Sequence, residues 1–333
     1  MEIYKKGDGI RMSKYLLVDV SHYQTNINYN LLKENGVEAL IIKSSSGKYM
    51  DSMLPIHYAG ARQAGMLVGI YHWVDPIYNG DVQANLIQSI NAKYPVDFIC
   101  GDVEQWWGDW NKWLLYAQGK LPASKVPTLD DKRIYTVTKD FFDNVKKLLP
   151  KIPAVFYSSI GFMTTGKRNL KEIYNNNYRW LAQYPKISLF GETTWEELKK
   201  YYPSEATITL PPGFEAPHIW QWSGDRLILP GHEDSFIDLN FVYDIETWCK
   251  EPVNIENPEV ITPEVPYKVA RLNPAKASYL NVRKSPTVNS PSLKVFSRQS
   301  VIYITNEYEG SWVKLFNEPG WINSNYILIE QGG

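Results

Sequence analysis

The chain is short of cysteine, of long apolar runs and of net charge, and each shortage excludes a class of protein. Two cysteines, Cys100 and Cys249, occur among 333 residues, which are too few for a disulfide framework and lack the spacing of a metal-binding motif. No run reaches the roughly 18 apolar residues of a membrane-spanning helix. The formal net charge of -1 argues against nucleic acid as the main partner. We therefore expect no membrane span, no metal and no cofactor.

The amino terminus also lacks the pattern of a secretory signal. Residues 1–20 contain basic side chains, but no apolar segment with a small-residue cleavage site follows them. We interpret residues 1–13 as a short N-terminal extension and expect no Sec signal.

Aromatic side chains, in contrast, are abundant. They make up 14% of the chain, with 12 Trp and 23 Tyr. Surfaces that bind carbohydrate are one common reason for such a composition, and large packed cores are another. The length predicts two domains, one of them large.

Apolar runs and helical patterns alternate along the first 250 residues. Eight runs predict strands, and amphipathic segments separate the first five, as in parallel βαβ units. The later connections have only weak helical patterns. Eight mostly parallel strands predict an α/β fold, a TIM-type (β/α) barrel with reduced helices after strand five and active residues at the strands' carboxyl ends. The predicted strands are 15–20, 39–43, 66–73, the run from 98, 154–158, 178–184, 218–222 and 236–239, and the clearest helix is 134–149.

The fourth strand ends in a pair of carboxylates. Phe98–Trp107 reads FICGDVEQWW, so Asp102 and Glu104 are two residues apart. Side chains at i and i+2 of a strand point to the same side, which would place both carboxyl groups inside the barrel mouth. Two buried carboxylates cannot both ionise freely, so one pKa rises and that carboxyl becomes a proton donor at neutral pH. Glycosidases use such a pair, with one carboxyl as the proton donor and the other as the group that stabilises positive charge. The alternative is a polar strand end whose acids face solvent.

Two further acids, Asp19 and Asp238, also fall at the ends of predicted strands. Because the carboxyl ends of barrel strands meet on one face, we expect all four acids to lie together. Four acids on one face are harder to explain as solvent-exposed strand ends than a single pair.

The composition changes after residue 250. Residues 251–266 contain four Pro and four Glu and no basic residue, which predicts a stiff, extended linker. Residues 267–333 contain short strand patterns separated by turn residues and no helical pattern, which predicts a small all-β barrel.

Seven short motifs follow one another through the predicted barrel: DVSHYQ (19–24), GIYHW (69–73), DVE (102–104), YS (157–158), WLAQY (180–184), WQW (220–222) and IDLN (237–240). Together and in this order they resemble glycoside hydrolase family 25, the lysozymes called muramidases. The resemblance implies that residues 14–250 form an irregular barrel. It also implies cleavage of the β-1,4 bond between N-acetylmuramic acid and N-acetylglucosamine in bacterial peptidoglycan.

The resemblance also implies a role for each candidate residue. Glu104 matches the general acid, and Asp102 matches the group that orients or stabilises the acetamido group of the substrate. Asp19 and Asp238 match supporting acids. The implied substrate-binding residues, for which packing inside the barrel is the alternative, are Tyr71, Tyr157, Trp180, Tyr184, Trp220, Gln221 and Trp106.

Three segments of the C-terminal region carry a second, looser resemblance. YLNVRKSP (279–286), SWVKL (311–315) and GWINSNY (320–326) are similar to bacterial SH3-like wall-binding domains. The resemblance implies that residues 267–333 bind cell-wall peptide or glycan.

The segment Gln105–Arg133 departs from the family, whose members are usually shorter here. It contains Trp106, Trp107, Trp110 and Trp113. We expect either an extra wall of the sugar groove or an aromatic insertion that packs on the barrel rim.

These observations favour a bacteriolytic enzyme that resembles a phage endolysin, made in the host cytoplasm and acting on the cell wall after release. The alternative is a protein that binds wall glycan without cleaving it. A chitin-active barrel needs a longer D-x-x-D-x-D-x-E motif, which the strand from Phe98 lacks. Substrate-assisted cleavage is favoured, with direct attack by water as the other route.

Overall fold

The computed structural model describes residues 2–3, 14–184, 208–249, 268–297, 301–315 and 319–329. The chain divides into two compact units, Met1–Glu256 and Asn257–Gly333. Of the predicted N-terminal extension only Glu2–Ile3 is described, and the predicted linker 251–266 lies outside the described residues. The predicted domain boundaries stay predictions.

Eight strands of the first unit close into a barrel, as the sequence predicted. The sheet order is β2-β11-β10-β8-β7-β6-β5-β3, and pairing of β2 with β3 closes it, while β4 extends the end of β3. A separate two-stranded ladder joins β1 to β9. The strands are β1 (Glu2–Ile3), β2 (Lys14–Val20), β3 (Val37–Ser46), β4 (Tyr49–Met50), β5 (Leu67–Trp73), β6 (Phe98–Asp102), β7 (Ala154–Ser159), β8 (Tyr178–Ala182), β9 (Thr209–Leu210), β10 (Ile219–Leu229) and β11 (His232–Tyr243).

Full helices cover the first half of the barrel, and the helices described after β7, outside residues 185–207, have only four or five residues each. The longest helix has the expected apolar face, with Ile134, Val137 and Phe141 buried, and the Asp130 carboxylate caps its first turn by accepting a hydrogen bond from the Lys132 amide. In the described ranges no helix is long and apolar enough to cross a membrane. The helices are α1 (Tyr29–Glu34), α2 (Leu54–Gln63), α3 (Gly80–Lys93), α4 (Trp110–Ala117), α5 (Asp131–Leu148), α6 (Ile160–Thr164), α7 (Lys171–Asn175) and α8 (Ile245–Trp248).

The strands alternate between two apolar layers. One layer fills the barrel and includes Leu17, Ile41 and Cys100, while the other lies between the sheet and the helices. Because side chains two residues apart share a face, this alternation turns Asp19 and Asp102 toward the inside, next to Leu17 and Cys100.

The predicted orientation of the last strand is wrong. We expected Asp238 at the carboxyl end of a strand, but β11 runs antiparallel to both β10 and β2, and Asp238 lies in its middle. The physical reason is the two-residue connection Pro230–Gly231, because so short a turn can join only antiparallel strands. The register nevertheless pairs Asp238 directly with Asp19.

The second unit is a seven-stranded antiparallel sheet around its own small apolar core, which includes Val282, Ile304 and Val313. Its strand order is β14-β13-β17-β16-β15-β12-β18. The strands are β12 (Lys268–Leu272), β13 (Tyr279–Arg283), β14 (Ser292–Ser297), β15 (Val301–Glu309), β16 (Trp312–Leu315), β17 (Trp321–Asn323) and β18 (Ile327–Ile329).

The close approach of α3 to α5 depends on Gly80. A Cβ atom there would lie 2.4 Å from the Phe141 amide nitrogen and 2.6 Å from the Val137 carbonyl oxygen. We expect Gly80→Ala to lower the free energy of unfolding by roughly 1–3 kcal/mol, because backbone atoms of α5 must move. Urea unfolding followed by circular dichroism measures the change. The matched control is Gly161→Ala in α6, where a Cβ meets open space; equal stability of the two variants would contradict the prediction.

Candidate active site

Asp102 and Glu104 lie at the mouth of the barrel, but only Asp102 belongs to the strand. We expected both on one strand; β6 ends at Asp102, and Glu104 follows two residues later. The neighbouring strands fix the backbone between them. The Val74 amide donates to the Asp102 carbonyl at 2.9 Å, the Val103 amide donates to the Tyr157 carbonyl at 3.0 Å, and the Ser158 hydroxyl donates to the Val103 carbonyl at 2.7 Å.

Both carboxyl groups hold protons more tightly than exposed acids do. Burial raises the pKa of Glu104 to about 7, Lys43 opposes this rise, and the negative charge of Asp19 adds to it. Burial also raises the pKa of Asp102 well above its usual range, and the negative charge of Glu104 raises it further. The two carboxyl groups interact and therefore titrate as a pair. At neutral pH the pair retains a proton that it can transfer.

Asp102 also keeps an unused acceptor. Its side chain is 4% exposed, and within the described part of the chain its Oδ1 atom is buried with no hydrogen-bond partner. A buried acceptor without a partner costs free energy in the empty protein, and a ligand that donates a hydrogen bond removes this cost.

Lys43 is a residue of the site that the sequence interpretation missed. Its ammonium lies 5.6 Å from the Tyr71 ring centroid and 5.3 Å from that of Trp73, and its positive charge lowers the pKa of both Asp102 and Glu104. The signal was present in the sequence: Ala39, Ile41 and Lys43 alternate along β3, and the first two fill the barrel. The same alternation points Lys43 inward, in the C-terminal half of the strand.

The amide of Gln221 joins the other two acids. Its Nε2 donates to Oδ2 of Asp19 at 3.1 Å and to Oδ2 of Asp238 at 3.3 Å. Its Oε1 accepts hydrogen bonds from the hydroxyl groups of Tyr157, at 2.7 Å, and Tyr184, at 2.9 Å. Gln221 is buried, so this one amide sets the positions of two carboxylates and two phenols.

A second amide, Asn240, holds Asp19 from the adjacent strand. Its Nδ2 donates to Oδ2 of Asp19 at 2.7 Å, and its Oδ1 accepts from the Trp180 indole nitrogen at 2.7 Å. Asn240 is fully buried. It was the last residue of the quoted IDLN motif but was not predicted as a site residue. Asn240 lies two residues after Asp238 on β11, so both side chains point to the same face, and this spacing could have identified Asn240.

Aromatic rings line the same space. The Trp180 ring lies 4.4 Å from the Tyr157 ring and 6.3 Å from the Tyr71 ring, centroid to centroid. Burial and the nearby carboxylates raise the pKa of both Tyr71 and Tyr157 well above the usual range, so both phenols remain protonated hydrogen-bond donors.

Of the remaining predicted residues, Trp220 and Trp106 lie apart from this group, whereas Tyr184 joins it through its hydroxyl. Trp220 is 2% exposed and belongs to the outer layer, where its ring approaches Phe241; the alternation that turns Gln221 inward turns Trp220 outward. Tyr184 reaches Gln221 from the rim with 47% of its surface exposed. Trp106 packs edge-on against Trp107 in the insertion.

The donor set of the site suits proton transfer and hydrogen bonding. Among the residues that the structure describes, no group of three or more His, Cys, Asp or Glu side chains is arranged to hold a metal ion. The site contains a protonated carboxyl, a buried acceptor and phenol and amide donors. These groups can protonate a leaving oxygen and bind a polar, ring-shaped ligand.

Comparison with known proteins supports this interpretation at the level of family and fold. The chain is 28% identical to the "Autolytic lysozyme" of Clostridium acetobutylicum over 141 residues, which is 41% of this chain and 42% of that protein. It is 35% identical to "Lysozyme M1" of Streptomyces globisporus over 82 residues, or 24% of this chain and 28% of that one. The chain thus spans less than half the length of either relative.

A solved structure has the same barrel. The bacterial lysozyme from Streptomyces coelicolor superposes with a TM-score of 0.50 at 20% identity, over 68% of this chain and 91% of that one. Residues 18–230, more than half of the sequence, match the family model described as "Glycosyl hydrolases family 25". The chain therefore belongs to glycosyl hydrolase family 25.

Proposed function

We propose that the chain is a peptidoglycan hydrolase, an N-acetylmuramidase that cleaves the β-1,4 bond between N-acetylmuramic acid and N-acetylglucosamine and so lyses bacterial walls. Family membership and the names of the two lysozyme relatives support this proposal. One observation carries the chemistry: the unpartnered Oδ1 of Asp102 lies beside a carboxyl, Glu104, whose pKa is about 7. A substrate with an N–H group next to its scissile bond would use both.

Glu104 is the proton donor in this proposal. Its protonated carboxyl transfers a proton to the glycosidic oxygen as the bond from that oxygen to the anomeric carbon breaks. The acetamido oxygen of the substrate attacks the anomeric carbon from the other side and forms a cyclic cation. Asp102 accepts a hydrogen bond from the acetamido N–H and stabilises this positive charge. Water then opens the ring, and Glu104 regains its proton from that water.

The other candidate residues position the sugar. Asp19 and Asp238 are held by Gln221 and act as acceptors at the barrel mouth, where their negative charge also favours a developing cation. Tyr71, Tyr157 and Trp180, whose rings lie close together, would form a wall of the sugar-binding site. Glycan binding without cleavage is the alternative function, and the proton held by Asp102 and Glu104 argues against it because binding alone does not need a shared proton.

The second unit is a candidate wall-binding module of the SH3-like type. Its apolar core is buried. Exposed apolar side chains remain on the paired strands β13 and β14, namely those of Tyr279, Leu293 and Val295. We propose that this unit binds cell-wall peptide or glycan. An endolysin-like role, with the host cytoplasm as the place of synthesis, stays a prediction.

Glu104→Gln tests the proton donor through rate and stability. We expect lysis of purified walls to fall roughly 10²–10⁴-fold, and wild-type lysis to fall as the pH rises through about 7. In the folded wild type the pKa of Glu104 is raised from 4.5 to about 7. The contribution of Glu104 to the free energy of unfolding is therefore fully present below pH 4.5 and is lost as the pH rises to about 7. Glutamine does not ionise, so we expect this variant to be more stable than wild type at pH 8, by about 3 kcal/mol, and equal at pH 4.

Turbidity of wall suspensions and thermal unfolding at both pH values give the two readouts. The control is Glu34→Gln on α1, an exposed acid whose substitution should change neither. A folded Glu104→Gln protein that lyses walls at the wild-type rate would overturn the assignment.

Asp102→Asn distinguishes a reacting role from an electrostatic one. If Asp102 acts only on Glu104, removing its charge lowers the pKa of Glu104 and shifts the alkaline limb of the rate profile to lower pH. If Asp102 stabilises the reacting acetamido group, the maximal rate itself falls, and we expect a loss of roughly a hundredfold or more. The rate is measured on soluble wall fragments from pH 4 to pH 9. A shifted limb with an undiminished maximum would refute the acetamido role.

Ending the chain at Pro252 tests the second unit. Few contacts are expected to cross a Pro- and Glu-rich segment, so the barrel should keep its activity on soluble glycan fragments. Binding to whole walls should weaken by about tenfold or more, because one of two attachment sites is lost. Co-sedimentation with walls measures binding. Loss of fragment cleavage would instead show that residues 253–333 belong to the catalytic unit.

A further inference from the structure

The aromatic insertion, residues 105–133, is hydrogen-bonded between its two ends, which form its base, whereas the helix in its middle is not buried. Trp107 forms a bridge with Thr128, the Gly108 amide donates to the Pro127 carbonyl at 2.8 Å, and the Leu129 amide donates to the Trp106 carbonyl at 2.8 Å. Between these two backbone segments lies α4, in which no residue is buried. The core of the barrel therefore does not hold α4, and its contacts with the rest of the insertion come mainly from aromatic rings.

Four tryptophans form a continuous row from the barrel to the surface. The centroid distances are 5.7 Å from Trp73 to Trp107, 4.3 Å from Trp107 to Trp113 and 4.8 Å from Trp113 to Trp110. The last two pairs are stacked, with interplanar angles of 17° and 28°. Exposure increases over the last three rings, from 4% for Trp107 to 54% for Trp110.

The inner end of this row adjoins the candidate active site. Trp73 is the last residue of β5 and the register partner of Asp102. Its indole nitrogen donates to Oε1 of Gln105 at 2.7 Å, and Gln105 directly follows Glu104 in the chain. Nε2 of Gln105 donates to the Trp107 carbonyl at 3.0 Å. One buried glutamine thus connects the proton donor, the strand end and the base of the row.

The row has a feature that packing alone does not explain. Rings that only stabilise an insertion would turn their faces toward the barrel, but here the outermost ring is more than half exposed. Trp113 and Trp107 support it from behind, so Trp110 is held in place before any ligand arrives, and binding costs little side-chain entropy. A flat, uncharged, rigid ring suits the apolar C–H face of a pyranose. The one cation on α4, Lys112, lies 3.9 Å from Asp109, so α4 does not present a strongly basic surface.

We propose that Trp110, backed by Trp113 and Trp107, is an additional sugar-binding site for glycan residues beyond the cleaved linkage. The proposal rests on the proposed function, since it assumes that the barrel cleaves a glycan strand. A strand that occupies the barrel mouth and continues past Trp73 reaches Trp110 only if it is long enough. Short fragments fill the barrel mouth alone, so the contribution of Trp110 should depend on substrate length.

Trp110→Ala in the full chain tests this dependence. The substrates are peptide-free glycan strands from purified walls, separated into four-sugar fragments and strands longer than about ten sugars. We expect kcat/KM for the long strands to fall about tenfold through a raised KM, because remote contacts contribute binding energy. On four-sugar fragments kcat/KM should stay within twofold of the wild-type value. The matched control is Leu115→Ala, an exposed apolar residue of the same helix that lies outside the row of stacked rings, which should change neither value.

Direct binding separates failure of the proposal from failure of the proposed function. Quenching of tryptophan fluorescence by the long strands is measured for wild type and Trp110→Ala at equal concentrations. If wild type cleaves no strand of any length, the proposed function fails, and about tenfold weaker binding by Trp110→Ala would still support the glycan site. An unchanged length dependence, or an equal loss on short and long strands, overturns the proposal. So does a loss confined to binding of phosphatidylglycerol vesicles, which would assign the ring to a lipid surface.

Discussion

Burial of several carboxyl groups in one small space is the constraint on which the rest of the barrel mouth depends. An isolated buried carboxylate is strongly unfavourable, so each acid must be protonated, paired or hydrogen-bonded. The structure uses two solutions. Asp19 and Asp238 are held by amide hydrogens, whereas Asp102 and Glu104 lie close enough to raise a pKa and retain a proton, with Lys43 limiting the rise. The second solution leaves a group that can transfer a proton.

The strand arrangement makes these two solutions possible. Closure of the barrel through β2 and β3 brings Asp19 and Lys43 from adjacent strands to the same mouth. Reversal of the chain at Gly231 then places Asp238 opposite Asp19, with Gln221 on the strand between β8 and β11. An all-parallel barrel would need another crossover to do the same. The short helices described between β7 and β8 are the other departure from a regular (β/α) barrel.

Under the proposed function, the insertion and the C-terminal unit would extend the range over which a polymer can be held. A barrel mouth contacts only a few sugars, whereas wall glycan is long. Stacked indoles beside the mouth would engage more of the same strand, and a separate binding unit would keep the enzyme at the wall. Both features would add binding energy remote from the reacting bond, where it could hold the substrate without altering the acid pair.

The sequence alone predicted the barrel, the approximate positions of its eight strands and the inward face of the strand from Phe98, because a period of two is readable without any partner. It also identified Asp102 and Glu104 and the family motifs around them. The sequence did not identify Lys43 or Asn240 as site residues. It predicted Trp220 as a substrate-binding residue, and it placed Asp238 at the carboxyl end of a strand rather than in the middle of the antiparallel β11. The alternation along β3 and β11 and the short turn at Gly231 were present in the sequence but became informative only with the strand bounds of the structure. The pKa of a carboxyl and the hydrogen-bond partner of an amide were decided by the tertiary structure alone, because they depend on atoms that are distant in sequence. Asp19 and Gln221 are 202 residues apart, and nothing local to either predicts their hydrogen bond.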